Sequence, residues 1–312
     1  MSPRRDPEPT FTSYYGRPIL KEPSWAELDI AGYLFLGGLA GASSLLSAAA
    51  EATGRPGLRR TGRLGALGAI SVSMVALVHD LGRPMRFVNM LRVAKPTSPM
   101  SMGSWLLAGY GPLVGAAAAS ELTGRWPRAG RAAGLGAAAL GCGVATYTSV
   151  LIADTAVPTW HESRQELPFV FAASAAAAAS GLGLLLAPAE DLAPVRRLAV
   201  AAAATELAAS QRMEQRAGLA GETYREGRAG ALLRASKAAS ALGSLGVLAG
   251  RRVPVAGRIG GACLLAASAL TRFGIFAAGR RSTQDPRYVV VPQREALRLA
   301  AQAESHTTPT GR

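Results

Sequence analysis

Apolar residues in this chain come in long unbroken runs, not in strict alternation. They occupy roughly 28–50, 63–81, 104–122, 130–153, 168–187, 195–211, 230–249 and 256–279. Each run is near the ~20 residues that a helix needs to cross a 30 Å hydrocarbon core. The pattern predicts an all-α integral membrane protein, a bundle of about eight transmembrane helices. The sixth run is short, rich in alanine and interrupted by Glu206, and a soluble alanine-rich helix would look the same, so the count is seven or eight. Alanine and glycine abound in the runs, and small residues let membrane helices approach closely. Around the bundle at 28–280 lie a polar N-terminal tail, 1–27, and a polar C-terminal tail, 281–312, expected to end in disorder.

Eight spans put both termini on one side, face A, together with three long connections: His79–Trp105, Asp154–Pro168 and residues 212–229. Face B receives only short turns, EATGRPGLRRTGR, TGRWPRAGR, APAEDLAPVRR and the one at Arg251-Arg252. Short basic loops stay in the cytoplasm, so face B is expected inside and the chain is expected to be multi-pass in the cell (inner, cytoplasmic) membrane.

Composition agrees. Of 312 residues 49% are hydrophobic and only 17% charged, against about a quarter charged in soluble domains. The net charge of +14 would suit nucleic acid, but the arginines are dispersed one cluster per gap, as charge flanks membrane helices. Membrane lipid, not nucleic acid, is the expected surrounding. Cys142 and Cys263 sit alone in separate runs and offer no metal or iron–sulfur spacing. Residues 1–27 lack the apolar core of a signal peptide, so the first span is expected to act as an uncleaved insertion signal.

Ionisable groups within spans are costly and usually face the bundle interior. On the eight-span map, Tyr33, His79, Asp80, Tyr147, Asp154, Glu206, Lys237 and Arg272 all fall in the face A half, on six helices. Each has a plainer explanation. Arg272 and Lys237 can snorkel to headgroups, Asp80 and Asp154 can cap loops, His79 can be a structural histidine, and Tyr33 and Tyr147 can belong to an aromatic belt. Their coincidence at one depth predicts a polar pocket near face A. The only histidines are His79, His161 and His306, and only His79 reaches a span, so no histidine pair can hold a membrane haem. Any electrons must come from a partner on face A. The loop HDLGRPMRFVNMLRVAKPTSPMSMGSW combines fixed bends with Arg83, Arg86, Arg92, Lys95 and Trp105. With the aromatic tail Phe11–Trp25 it is the expected dock, because arginine and aromatic residues are enriched at interfaces.

Six segments carry a family likeness: SYYGRPILKEP, YLFLGGLAG, DLGRPMRFVNMLRVAKPTSPMS, YTSVLIADTAVPTWHE, LPFVFAASAAAAASG and TRFGIFAAG. Together they resemble the NrfD/polysulfide reductase membrane-subunit family over nearly the whole chain. The resemblance implies an eight-helix, haem-free subunit without iron–sulfur clusters of its own, exchanging electrons with menaquinone or another membrane quinone. It also implies a four-cluster iron–sulfur partner and a molybdenum or tungsten catalytic subunit that holds the catalytic centre. Tyr147 matches the tyrosine of the family's YTG-type segment, although Ser149 replaces the usual glycine; the resemblance also favours Asp80, Arg83, Asp154 and Arg272. Its N-terminal motif points first to a formate dehydrogenase-like complex, with a polysulfide reductase-like one also open.

On that basis Tyr147 is expected to donate to a quinone carbonyl, while Asp154, Glu206 or His79 relay protons and Arg272 stabilises negative charge on a reduced ring. Tyr33, Asp80 and Lys237 join Tyr147 around the ring. Two alternatives remain: a purely structural anchor for the catalytic subunits, and a proton-conducting or transport element using Glu206 and Lys237.

Overall fold

The computed structural model describes residues 19–83 and 85–307. Eight long helices dominate: α1 (Glu27–Ala52), α2 (Pro56–Asp80), α4 (Pro99–Thr123), α5 (Pro127–Ala153), α7 (Leu167–Leu186), α8 (Leu192–Arg216), α9 (Gly227–Ala249) and α10 (Pro254–Gln284). Two short helices, α3 (Met85–Met90) and α6 (Pro158–Glu162), lie in the face A connections, and α11 (Arg287–Thr307) follows the bundle. No strand occurs among the described residues. Proline stands at the first or second position of α2, α4, α5, α7 and α10. There its missing N–H costs nothing and its fixed φ suits the helix.

Five of the eight, α1, α2, α5, α7 and α10, are long and apolar enough to cross a membrane. The others, α4, α8 and α9, have comparable lengths of 25, 25 and 23 residues but are not among those five. In α8 and α9 the reason is charge, as at Arg196, Glu206, Arg212 and Arg216 and at Arg228, Arg234 and Lys237.

The bundle is two similar halves. In the first, α1 packs on α2 and α5, and α4 packs on α5 and α2. In the second, α7 packs on α8 and α10, and α9 packs on α10 and α8, so the order of contacts repeats. Glycines mark corresponding places. A Cβ on Gly141 of α5 would come within 2.7 Å of the Gly41 carbonyl oxygen of α1, and one on Gly261 of α10 within 2.7 Å of the Gly181 oxygen of α7. Gly41 and Gly181 each occupy the fifteenth position of their helix. The halves meet where α7 touches α1, α5 and α2 and where α10 touches α1.

At face B the first half is closed by charge. Arg63 Nη2 meets Glu51 Oε2 at 2.8 Å and its Nη1 meets Glu121 Oε2 at 3.0 Å, while Arg59 Nε meets the same Glu121 oxygen at 2.9 Å. Arg63 also donates to the Gly130 carbonyl at 3.2 Å, so one buried guanidinium ties together α1, α2, α4 and α5.

Some boundaries differ from the sequence pattern. The second span starts at Pro56, not residue 63, because Arg59 and Arg63 find buried acids and join the helix in place of a basic loop. The third starts at Pro99, where the Ser98 hydroxyl accepts from the Ser101 N–H. Most of the C-terminal tail forms α11, and its end at 308–312, where disorder was expected, lies outside the described residues.

Replacing Gly41 with leucine should drive α1 from α5, at about 1–3 kcal/mol, the usual penalty for overpacking. Gly32, whose Cβ would meet nothing within 4 Å, should tolerate alanine without loss. Thermal unfolding of the detergent-solubilised variants distinguishes the two.

Candidate functional site: a tyrosine-lined pocket in the first half

Four helices of the first half each present one face to a pocket near face A. The lining residues recur at helical spacing: Ile30 and Tyr33 on α1, Leu77, Asp80 and Leu81 at the end of α2, Met100, Gly103, Ser104 and Leu107 on α4, and Tyr147 and Leu151 on α5. Residues three and four apart share a helix face, which explains the set. Met90 of α3 and Trp25, just before α1, close the outer side.

Tyr147 is held by a gap in the opposite wall. Its ring lies where any side chain at Gly103 would have to go. Its hydroxyl is buried and has no hydrogen-bond partner among the described residues. Tyr33 is buried beside it, and the Tyr33 carbonyl accepts from Ser73 Oγ at 3.2 Å. Asp80 Oδ1 accepts from the Ala26 N–H at 2.8 Å, which binds the end of α2 to the start of α1. The turn that follows needs Gly82, whose φ of 68° lies in the left-handed region. The free volume is about 60 Å³, and the flexible side chains of Met90 and Met100 are the groups best able to enlarge it.

Trp25 separates this pocket from the face A surface. It also lines an open groove of about 350 Å³ formed with residues 20–24 and with Thr155, Ala156, Val157, Trp160 and Thr283. Trp25 stacks on Trp160, with centroids 6.2 Å apart and planes 18° from parallel. Trp160 is fully buried and donates from Nε1 to the Ile275 carbonyl of α10 at 2.8 Å. Arg280 holds the same strap through Glu22 at 2.7 Å.

Of the residues singled out in sequence, Tyr33, Asp80 and Tyr147 are brought together. Lys237 is not among them: it pairs with Glu214 at 2.7 Å in the second half. His79 points outward, 78% exposed, and meets Asp29 at 2.7 Å. Asp154 caps α5 and is exposed. Glu206 and Arg272 form a separate buried centre. There Glu206 Oε1 accepts from Thr271 at 2.8 Å, and Arg272 lies over the Phe171 ring, 3.8 Å from its centroid, and donates to the Phe171 carbonyl at 2.9 Å. Nε and Nη1 of Arg272 have no partner among the described residues. The single polar pocket expected near face A is therefore two centres, one per half.

Arg83, Arg86, Arg92, Lys95 and Trp105 are all exposed on the face A loop. None of the four cations forms an ion pair among the described residues; Arg86 donates to the Leu81 carbonyl at 2.9 Å. Trp105 and Ser101 both donate to the Val93 carbonyl, at 3.3 and 2.8 Å, and pin the loop. Pro84 and the Phe11–Pro18 part of the aromatic tail lie outside the described residues. Sequence reasoning missed Gly103, Met100 and Leu107 as pocket wall, although their spacing of three and four before a buried tyrosine helix was visible.

Residues 20–193 match the family described as Polysulphide reductase, NrfD. The chain belongs to that family. A search among curated proteins found no match. The NrfD match runs from the strap through α7 and covers the whole pocket. Membership makes the chain a membrane subunit of a polysulfide reductase-like complex.

Two tyrosines of the first half, Tyr110 and Tyr147, should answer removal of their hydroxyls differently. Tyr110 and Ser44 share a hydrogen bond of 2.8 Å, so Tyr110→Phe orphans a buried serine and should cost about 1–3 kcal/mol. Tyr147→Phe deletes a hydroxyl that has no partner among the described residues and should leave thermal stability unchanged or raised. Melting curves of the two variants in one detergent check this.

Proposed function

We propose that this NrfD subunit passes electrons between an iron–sulfur partner on face A and a membrane quinone seated in the Tyr147 pocket. The buried, unpartnered Tyr147 hydroxyl carries the proposal. Leaving such a donor unsatisfied costs roughly 1–3 kcal/mol, and a ligand carbonyl removes that cost. The remaining wall suits a flat apolar ring: Ile30, Leu77, Leu107 and Leu151 are aliphatic, and the methionines can shift.

A bound quinone supplies two-electron, two-proton chemistry. Tyr147 would orient the ring by donating to one carbonyl. Asp80, the titratable carboxyl in the wall, would hold or release a proton at the rim. Trp25, between pocket and surface groove, would exclude water and provide the short aromatic route from a docked cluster. The partner-facing surface comprises Arg83, Arg86, Arg92 and Lys95 with the exposed Met85, Val88 and Trp105. We assign to it a four-cluster iron–sulfur subunit, itself carrying a molybdenum or tungsten catalytic subunit of the formate dehydrogenase or polysulfide reductase type, in a complex of the cytoplasmic membrane. A purely structural anchor would account for the loops but not for the unpartnered hydroxyl.

A second role rests on the second half. Glu206 and the fully buried Arg272, with Thr271, Ser174, Ser268 and Ser236 nearby on α7, α9 and α10, form a polar core in a span. Buried ionisable groups of this kind suit proton movement coupled to the redox step.

In the assembled complex, Tyr147→Phe should lower electron transfer between donor and quinone about ten- to a hundred-fold, as expected for one positioned hydrogen bond in a dry site. Donor oxidation with a soluble artificial acceptor should stay intact. Normal quinone turnover in the variant would remove Tyr147 from the mechanism.

A further inference from the structure

A second cleft, on the outside of the second half, shares no residue with the Tyr147 pocket. It runs along α7 and α8 at the face A end and has a volume of about 480 Å³. Its upper rim is Arg212 and Arg216, which are 62% and 54% exposed. Both approach the same oxygen of buried Glu166, Oε1, at 3.8 and 3.3 Å. Two guanidinium groups thus share one carboxylate oxygen, which leaves one positive charge over and most of their donors turned to the outside. Below the rim the wall is apolar: Ala208 and Ala209 on α8, and Phe169 on α7, whose side chain is 68% exposed.

Position along the helices sets the depth. Glu166 immediately precedes α7, one of the helices apolar enough to span, and Arg216 is the last residue of α8. The rim therefore lies at the headgroups. From Arg216 down to Thr205 at the foot of the cleft is about 16 Å at 1.5 Å per residue, roughly half of a 30 Å hydrocarbon core. A protein partner docked on face A does not reach that far into the bilayer, whereas an acyl chain does.

We propose that this cleft is a binding site for an anionic phospholipid of the face A leaflet, its phosphate on Arg212 and Arg216 and its acyl chains along Phe169 and the alanines. Arginine forks match phosphate geometry. A zwitterionic lipid brings an ammonium that the surplus positive charge repels, and a quinone brings no charge to answer it. Glu166 competes with the phosphate for both arginines, so it tempers affinity as well as ordering the rim.

The test is native mass spectrometry of the purified full chain, incubated in detergent with equal amounts of phosphatidylglycerol and phosphatidylcholine. The wild-type chain should retain phosphatidylglycerol about tenfold in preference, and inorganic phosphate at the same concentration should not displace it. Arg212→Gln with Arg216→Gln should abolish the preference. Glu166→Gln should increase it, the opposite sign from damage to a merely structural ion pair, so this variant decides the matter even where the double variant fails to fold. Equal retention of the two lipids by the wild type, displacement by phosphate, or a fall in preference with Glu166→Gln would overturn the proposal.

Discussion

The backbone contact between Gly41 and Gly141 sets the geometry on which the rest depends. Lipid tails are as apolar as the side chains they would replace, so membrane helices associate through close packing, not through escape from water. With no side chain on either residue, α1 and α5 come together at mid-bundle. Tyr33 and Tyr147 stand eight and six residues from those glycines toward face A and come to line one pocket. The equivalent contact of Gly181 with Gly261 orders the second half in the same way.

Within this frame the first half ties its charged groups together at face B, although Ser43 Oγ and Arg63 Nε stay without a partner among the described residues. Ser44 meets Tyr110, Ser47 donates to the Arg59 carbonyl, and Arg63 and Arg59 meet Glu51 and Glu121. The Tyr147 hydroxyl is one of several buried polar atoms of this half without a partner among the described residues, and the one that lines the gap left by four helices. The second half has its centre filled instead, by Arg272 on Phe171 and by Glu206 on Thr271. One half carries a pocket, the other a buried charge, and Trp25 with Trp160 joins them at face A through Ile275 and Phe276 of α10.

The long helices were legible in the sequence because span length and apolar runs are set by the bilayer, a constraint that acts locally on the chain. Tyr33, Asp80 and Tyr147 were legible as a group because polar residues in spans are rare and fell at one depth. Depth, however, says nothing about azimuth. That is why Lys237, Glu206 and Arg272 were grouped with a pocket that belongs to the other half, and why His79, one residue from Asp80, points outward to Asp29. The face B arginines were read as a basic loop because their acids, Glu51 and Glu121, are distant in sequence and meet them only on folding. The pocket's smaller residues gave no signal of their own: Gly103 matters only because Tyr147 lies against it.

The central claim is that a quinone ring occupies the pocket lined by Tyr33 and Tyr147. Photolabelling of the purified chain with an azido-quinone, followed by peptide mapping, tests it most directly. The account predicts adducts on the segments of α4 around Gly103 and of α5 around Tyr147, suppressed by excess unlabelled quinone. Competable labelling confined to α7–α10, with the α4 and α5 segments untouched, would contradict it.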